Sequence, residues 1–268
     1  MDLNVAVDGP AGAPAVVFLH GVTGGGETYA WLQPDDLGGR RIVRVDLRGH
    51  GASPHAPGTY RIDPYTEDVA AVLRALDGPP PVLVGHSLGG VVAWTVAQRH
   101  PDLIAAAFLE DPPLFFADPA EAPTNAALPM FAALRDAVQG WRDAGLSVDE
   151  AAERVAGAPG GDQLAEGVAR VRAANLLAMD MGVLEAAIDN TTLADADLDA
   201  PVGVPVRVLA GEEETGAAFH ARHVERLAAS HPDVEVSVVP GASHLIHDEA
   251  RSRDIYKREL AAFVERFG

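Results

Sequence analysis

Residues 81–94 read PVLVGHSLGGVVAW. The run is apolar up to Gly85, sets one serine between His86 and Leu88, passes two glycines and turns apolar again. A short, nearly unbroken apolar run fits a strand buried on both faces, and the pattern over Leu88–Arg99 is helical. Ser87 therefore falls on a strand-to-helix corner, and Gly85, Ser87 and Gly89 complete G-x-S-x-G in the context that gives the pattern its meaning. A corner this tight holds the serine in a strained backbone conformation, so its neighbours must lack bulk. The turn pushes Oγ out of the sheet. The helix that follows aims its free N–H groups and positive dipole end at the same point. Oxyanion charge formed when the hydroxyl attacks a carbonyl is stabilised there. The competing reading is an ordinary glycine-rich turn in which Ser87 only caps the helix.

The same rhythm extends along the chain. AVVFLHG (15–21), RIVRVDL (41–47), PVLVGHS (81–87), IAAAFLED (104–111), PVRVLAG (205–211) and VEVSVVPG (234–241) read as strands. Helical patterns fall at Pro64–Leu76, Leu88–Arg99, Gly216–Ser230 and Asp248–Phe267. The alternation predicts an α/β fold, an open and mostly parallel sheet with helices on both sides. Residues 113–199 break the rhythm with Ala-, Asp- and Glu-rich helical patterns at Met130–Arg142, Val148–Ala156, Gln163–Leu177 and Gly182–Ile188. Asp111-Pro112-Pro113 closes the strand before them, and prolines at 201 and 205 open the next. The expected organisation is a core of residues 1–112 and 200–268 with a helical cap, 113–199, over the crevice at the strand C-termini.

Composition limits the partners. Of 268 residues, 48% are apolar and 22% charged, enough to bury a sizeable core. There is no cysteine, which removes disulfides, thiolate metal sites and cysteine nucleophiles. A formal charge of −19 repels phosphate backbones and anionic lipid, so neither nucleic acid nor a membrane surface is an expected partner. No window reaches the ~20 apolar residues of a membrane span, and MDLNVAVDGPAGAP has no basic n-region. A soluble, cytoplasmic protein is expected.

FLHGVTGG (18–25), DLRGHGAS (46–53), GHSLGG (85–90) and GASHLIHDE (241–249) stand in an order that resembles the α/β-hydrolase superfamily across nearly the whole chain, the cap least. The resemblance implies Ser87 as nucleophile and His244, after the last strand, as general base, with His247 a weaker candidate. It implies oxyanion donors at the backbone N–H groups of Val22 and Leu88. Gly24, Gly25 and Gly26 would let that loop approach substrate, and Asp46, Arg48 and His50 look structural. His50, His55, His100, His220, His223 and His231 are expected to be solvated. The acid that orients His244 has two candidate positions. Asp111 matches the variant of haloalkane dehalogenases and zearalenone-type lactonases, in which the acid follows the strand after the nucleophile. Glu214 has the offset usual after PVRVLAG, and Glu212 is third.

The expected chemistry is that of a serine hydrolase on a medium-sized hydrophobic small molecule, a carboxylic ester or lactone, through an acyl-enzyme and with no metal or cofactor. Phe115, Phe116, Met130, Phe131, Leu134 and Trp141 are candidates for an apolar pocket, or for packing of the cap onto the core. A C–C bond hydrolase, a proline-type aminopeptidase and a non-catalytic small-molecule binder share this frame. Serine at 87 argues against haloalkane and epoxide hydrolysis, which in this superfamily need Asp there.

Overall fold

The strands are β1 (Val5–Asp8), β2 (Ala15–Leu19), β3 (Arg41–Val45), β4 (Val82–His86), β5 (Ala106–Glu110), β6 (Val206–Ala210) and β7 (Glu235–Val238). They form one sheet in the order β1-β3-β2-β4-β5-β6-β7 in the computed structural model, which describes residues 1–116, 118 and 127–268. Every pairing is parallel except β1 on β3. The period of two explains the unbroken apolar runs. In β2, Val17 and Leu19 enter one hydrophobic cluster while Val16 and Phe18 enter the other. Leu83 and its neighbours Val82 and Val84 divide in the same way in β4.

Helices close both faces. α1 (Ile62–Ala75) and α2 (Leu88–Arg99) bury Tyr65, Val69, Val92 and Trp94 on the first face. The insertion between β5 and β6 carries α3 (Ala127–Asp143), α4 (Val148–Ala156), α5 (Val168–Ala178) and α6 (Met181–Ile188). Val138, Leu176, Val183 and Leu184 of these helices join the first cluster, so the insertion and the sheet share a core. The expected 113–199 segment includes residues 117 and 119–126, which lie outside the described residues. α7 (Ala221–Ser230) follows β6, and α8 (Arg253–Phe267) packs Tyr256, Leu260 and Phe263 against the second face.

Four elements depart from the sequence reading, one of them α5, which starts at Val168 rather than Gln163. β1 was not foreseen: it is a four-residue edge strand with Val7 51% exposed, too short and too wet to show a buried run. α7 starts at Ala221 rather than Gly216, because Gly216 takes φ 92° and the following backbone turns inward to serve the site. α8 starts at Arg253 rather than Asp248. Residues 248–250 instead form a short antiparallel contact with the insertion, where Ala165 N–H donates to the Asp248 carbonyl (2.8 Å) and Ala250 N–H to that of Gln163 (2.9 Å).

Candidate active site

Ser87 sits between β4 and α2 with φ 51° and ψ −115°, an uncommon backbone state for a residue with a side chain. Its N–H donates to the Glu110 carbonyl (3.0 Å) and Gly89 N–H to that of His20 (3.1 Å), pinning the corner to two neighbouring strand ends. The glycines are steric requirements. A Cβ on Gly85 would overlap the Gly89 carbonyl, and one on Gly89 would overlap that of Leu19. Gly85→Ala is accordingly expected to cost about 1–3 kcal/mol. Gly140→Ala, on α3 with nothing within 4 Å of the added methyl, is expected to gain about 0.5–1 kcal/mol. Thermal unfolding of the two variants checks this, and equal melting temperatures would remove the steric account of the motif.

His244 faces Asp111. Its Nδ1 lies 2.6 Å from Asp111 Oδ2. Asp111 is fully buried, with φ 41°, and its carboxylate also accepts from the N–H groups of Gly211 (3.1 Å), Ala218 (2.6 Å) and Phe219 (3.3 Å). Burial pushes this carboxyl up, but the hydrogen bond and charge of His244 and the amide donors outweigh it and hold the pKa below the ordinary value. Glu214 is exposed on the short helix Glu213–Thr215 and has no contact with His244 among the described residues. Glu212 is turned to the Gly241 N–H (2.7 Å). Of the three acidic candidates, Asp111 alone meets His244.

The loop after β2 completes this side. Leu47 N–H donates to His20 Nε2 (3.0 Å), so Nδ1 carries the proton and donates to the Gly21 carbonyl (2.8 Å). Burial and the nearby His50 lower the His20 pKa to about 3, keeping the ring neutral. His50 spans the carbonyls of Arg48 (2.9 Å) and Val22 (2.8 Å), and Asp46 accepts from the Gly26 and Ala52 N–H groups (2.7 and 2.9 Å). These contacts fix the loop that presents Val22. Among the described residues neither Val22 N–H nor Leu88 N–H has an acceptor, and both residues face the cavity described below.

A second histidine–carboxylate pair lies behind the first. Glu110 and His247 are 0% and 1% exposed. His247 Nδ1 is 2.7 and 2.8 Å from the Glu110 oxygens, and His247 N–H donates to Oε1 (2.9 Å). Burial disfavours the imidazolium, but the charges of Glu110 and Asp248 overcome this and raise the His247 pKa. His86 Nε2 donates to the His244 carbonyl (2.9 Å), while burial, followed by the charges of His244 and His247, keeps the His86 ring neutral. His86, Glu110 and His247 bring ligand-type atoms within 4.8 Å of one another, but those of Glu110 and His247 face each other and His86 Nε2 is engaged by the carbonyl. His247 holds only a minor place in the sequence reading, and three histidines expected to be solvated, His50, His223 and His231, are buried.

The sequence profile of the alpha/beta hydrolase fold matches residues 14–250, most of the chain. The protein belongs to the alpha/beta hydrolase fold family. The 2-(acetamidomethylene)succinate hydrolase of Mesorhizobium japonicum is 27% identical over 272 residues, covering 98% of this chain and 91% of that protein. Higher identity, 40%, is confined to 100 residues shared with the mouse sn-1-specific diacylglycerol lipase ABHD11, 37% of this chain and only 32% of the lipase. A crystal structure of a hydrolase from Pseudomonas aeruginosa PA01 superposes with a TM-score of 0.73 at 25% identity, covering 98% of this chain and 94% of that one.

In this alpha/beta hydrolase a cavity of about 1140 Å³ opens at the strand C-termini, and Ser87, Leu88, Val22 and His244 all line it. Phe116, Met130, Phe131, Leu134 and Trp141 line it as well. Phe115 does not. It is 2% exposed and packs against Phe219, His223 and the Arg226 guanidinium (4.4 Å from its ring), because the turn after Pro113 directs it into the core. The wall also includes Thr23, Pro113, Arg172, Leu176 and Leu245, which sequence reading passed over. Arg172 and Leu176 are one turn apart on α5, a pairing visible in the i, i+4 spacing once that helix is given a cavity to face. Among the described residues no helix is long and apolar enough to cross a membrane.

Proposed function

We propose that the protein is a serine hydrolase that cleaves small carboxylic esters, open-chain or cyclic, through a covalent acyl-enzyme. The reading is carried by one observation: His244 stands on the wall it shares with Ser87 and its Nδ1 is 2.6 Å from a buried, ionised Asp111. Asp111 accepts the Nδ1 proton, so the lone pair of neutral His244 is on Nε2. Nε2 takes the Ser87 proton as Oγ attacks the substrate carbonyl. The oxyanion is held by the Val22 and Leu88 N–H groups, with the positive end of α2 behind it. Collapse breaks the bond to the leaving alcohol, which receives the proton from His244. A water then gives its proton to His244 and attacks the acyl carbon; collapse breaks the bond to Ser87 Oγ, which takes that proton back from His244 as the acid leaves. α3–α6 act as a cap over the cavity, and the largely apolar wall from Phe131 to Trp141 favours a substrate with a hydrophobic part.

The lipase match supports ester chemistry, and the Mesorhizobium relative is named for a different substrate, 2-(acetamidomethylene)succinate, so a substrate panel decides the acyl group. A fluorophosphonate probe is expected to label the wild-type protein and not Ser87→Ala. Turnover of a panel of p-nitrophenyl esters and lactones then ranks the acyl groups. An unlabelled wild-type protein would mean a binding protein on a hydrolase frame rather than an enzyme.

A further inference from the structure

We propose that Arg172 forms a carboxylate-binding subsite, so that the preferred substrates carry an anionic group on one side of the scissile carbonyl and an apolar remainder on the other. The proposal rests on the ester-hydrolase reading and names the substrate class of that site.

The Arg172 side chain is 19% exposed, lines the same cavity as Ser87, and is held at its base rather than sealed. Nη1 donates to Asp248 Oδ2 (3.1 Å), and Nη2 donates to Thr23 Oγ1 (3.3 Å). A guanidinium has five N–H donors in a planar fork, and these two contacts engage a minority of them. None of the Arg172 nitrogens is among the buried side-chain atoms that lack a partner. Nε has no partner among the described residues and is not a sealed buried atom, so the fork keeps a donor for whatever fills the cavity.

Asp248 is 2% exposed and does not serve Arg172 alone. Its other oxygen is 3.5 Å from His247 Nε2, and it acts on the Arg253 guanidinium as well. A carboxylate that also faces His247 orients Arg172 without being its private counter-ion. The place is apt for a ligand charge. Thr23, the second anchor, follows the oxyanion-loop residue Val22, so a carboxylate a few bonds from the reacting carbonyl reaches the fork. Leu176, one turn along α5, begins the apolar side of the same cavity. A cavity built for wholly neutral chains has no use for a partly open guanidinium on its wall, where an unmatched cation weakens apolar binding.

The test uses two esters that differ only at the chain end, methyl hexanoate and monomethyl adipate, titrated calorimetrically into Ser87→Ala protein so that nothing is cleaved. The adipate ester is expected to bind about ten to a hundred times more tightly, the range for one charge-assisted hydrogen-bonded contact. Adding Arg172→Gln should bring the two close to parity, and Arg172→Lys should restore part of the difference. Equal affinities in the Ser87→Ala parent, absence of binding by either ester, or a preference that survives Arg172→Gln would each overturn the subsite. The parent comparison holds even if the Arg172 variants fold poorly. Wild-type hydrolysis of a neutral p-nitrophenyl ester reports on the ester-hydrolase reading separately, since it neither requires nor measures the charged subsite.

Discussion

Asp111→Asn is expected to lower kcat by about 10⁴, whereas Glu214→Gln should change it by no more than about twofold, as for a surface substitution. The asymmetry follows from the donors around position 111. Oδ2 accepts from His244 and Ala218, and Oδ1 accepts from Gly211 and Phe219. An asparagine must turn its NH₂ toward one of these two groups. Facing His244, it forces the ring into the tautomer with the proton on Nε2, which can no longer receive the serine proton. Facing Gly211 and Phe219, it sets donor against donor in a buried site, at about 1–3 kcal/mol. Turnover at saturating p-nitrophenyl ester, with circular dichroism to confirm the fold, measures the effect. Similar mild losses in both variants, or a larger loss at Glu214, would displace Asp111 from the proposed role.

Glu110→Gln is expected to destabilise the fold by about 3–5 kcal/mol, the cost of removing one partner of a buried ion pair. Its pH dependence has a definite sign. The folded state raises the His247 pKa above the ordinary 6.5, so the pair's contribution is complete below pH 6.5 and is lost as pH rises through the raised folded value. The stability gap between wild type and Glu110→Gln, read from urea unfolding across pH, should therefore be widest below pH 6.5 and narrow on the alkaline side. A gap that is flat or widens with pH would mean that His247 is neutral in the folded protein. The Glu110 carbonyl still receives the Ser87 N–H in this variant, so the experiment isolates the side chain from the backbone contact.

The sheet and the serine corner were legible because both are written locally. Unbroken apolar runs reflect strands covered on two sides, and Gly85 and Gly89 are fixed by overlaps with backbone nearby in sequence or in the adjacent strand. Which carboxylate meets His244 was not legible for the opposite reason. Glu214 has the expected offset, but what stabilises Asp111 is a set of amides from residues 211, 218 and 219 that local pattern cannot bring to position 111. The same limit applies to the histidines. His50 and His247 look like loop residues, and their burial depends on carbonyls and carboxylates supplied by other elements. Phe115 and Phe116 show the finest grain of the problem: adjacent, chemically identical side chains, one in the core and one at the cavity. Arg172 was passed over because a lone arginine on a helix is normally a solvated residue, and only the cavity gives it a direction.

The contact between residues 163–165 and 248–250 has a mechanical meaning. The strip that carries His244 runs on directly into it, and Arg172 of α5 grips Asp248 at the same place. The helical insertion and the segment that follows His244 are therefore joined directly. Separating the two segments breaks two backbone hydrogen bonds and the Arg172–Asp248 contact. On the proposed mechanism, moving this part of the insertion also moves the strip that positions the imidazole.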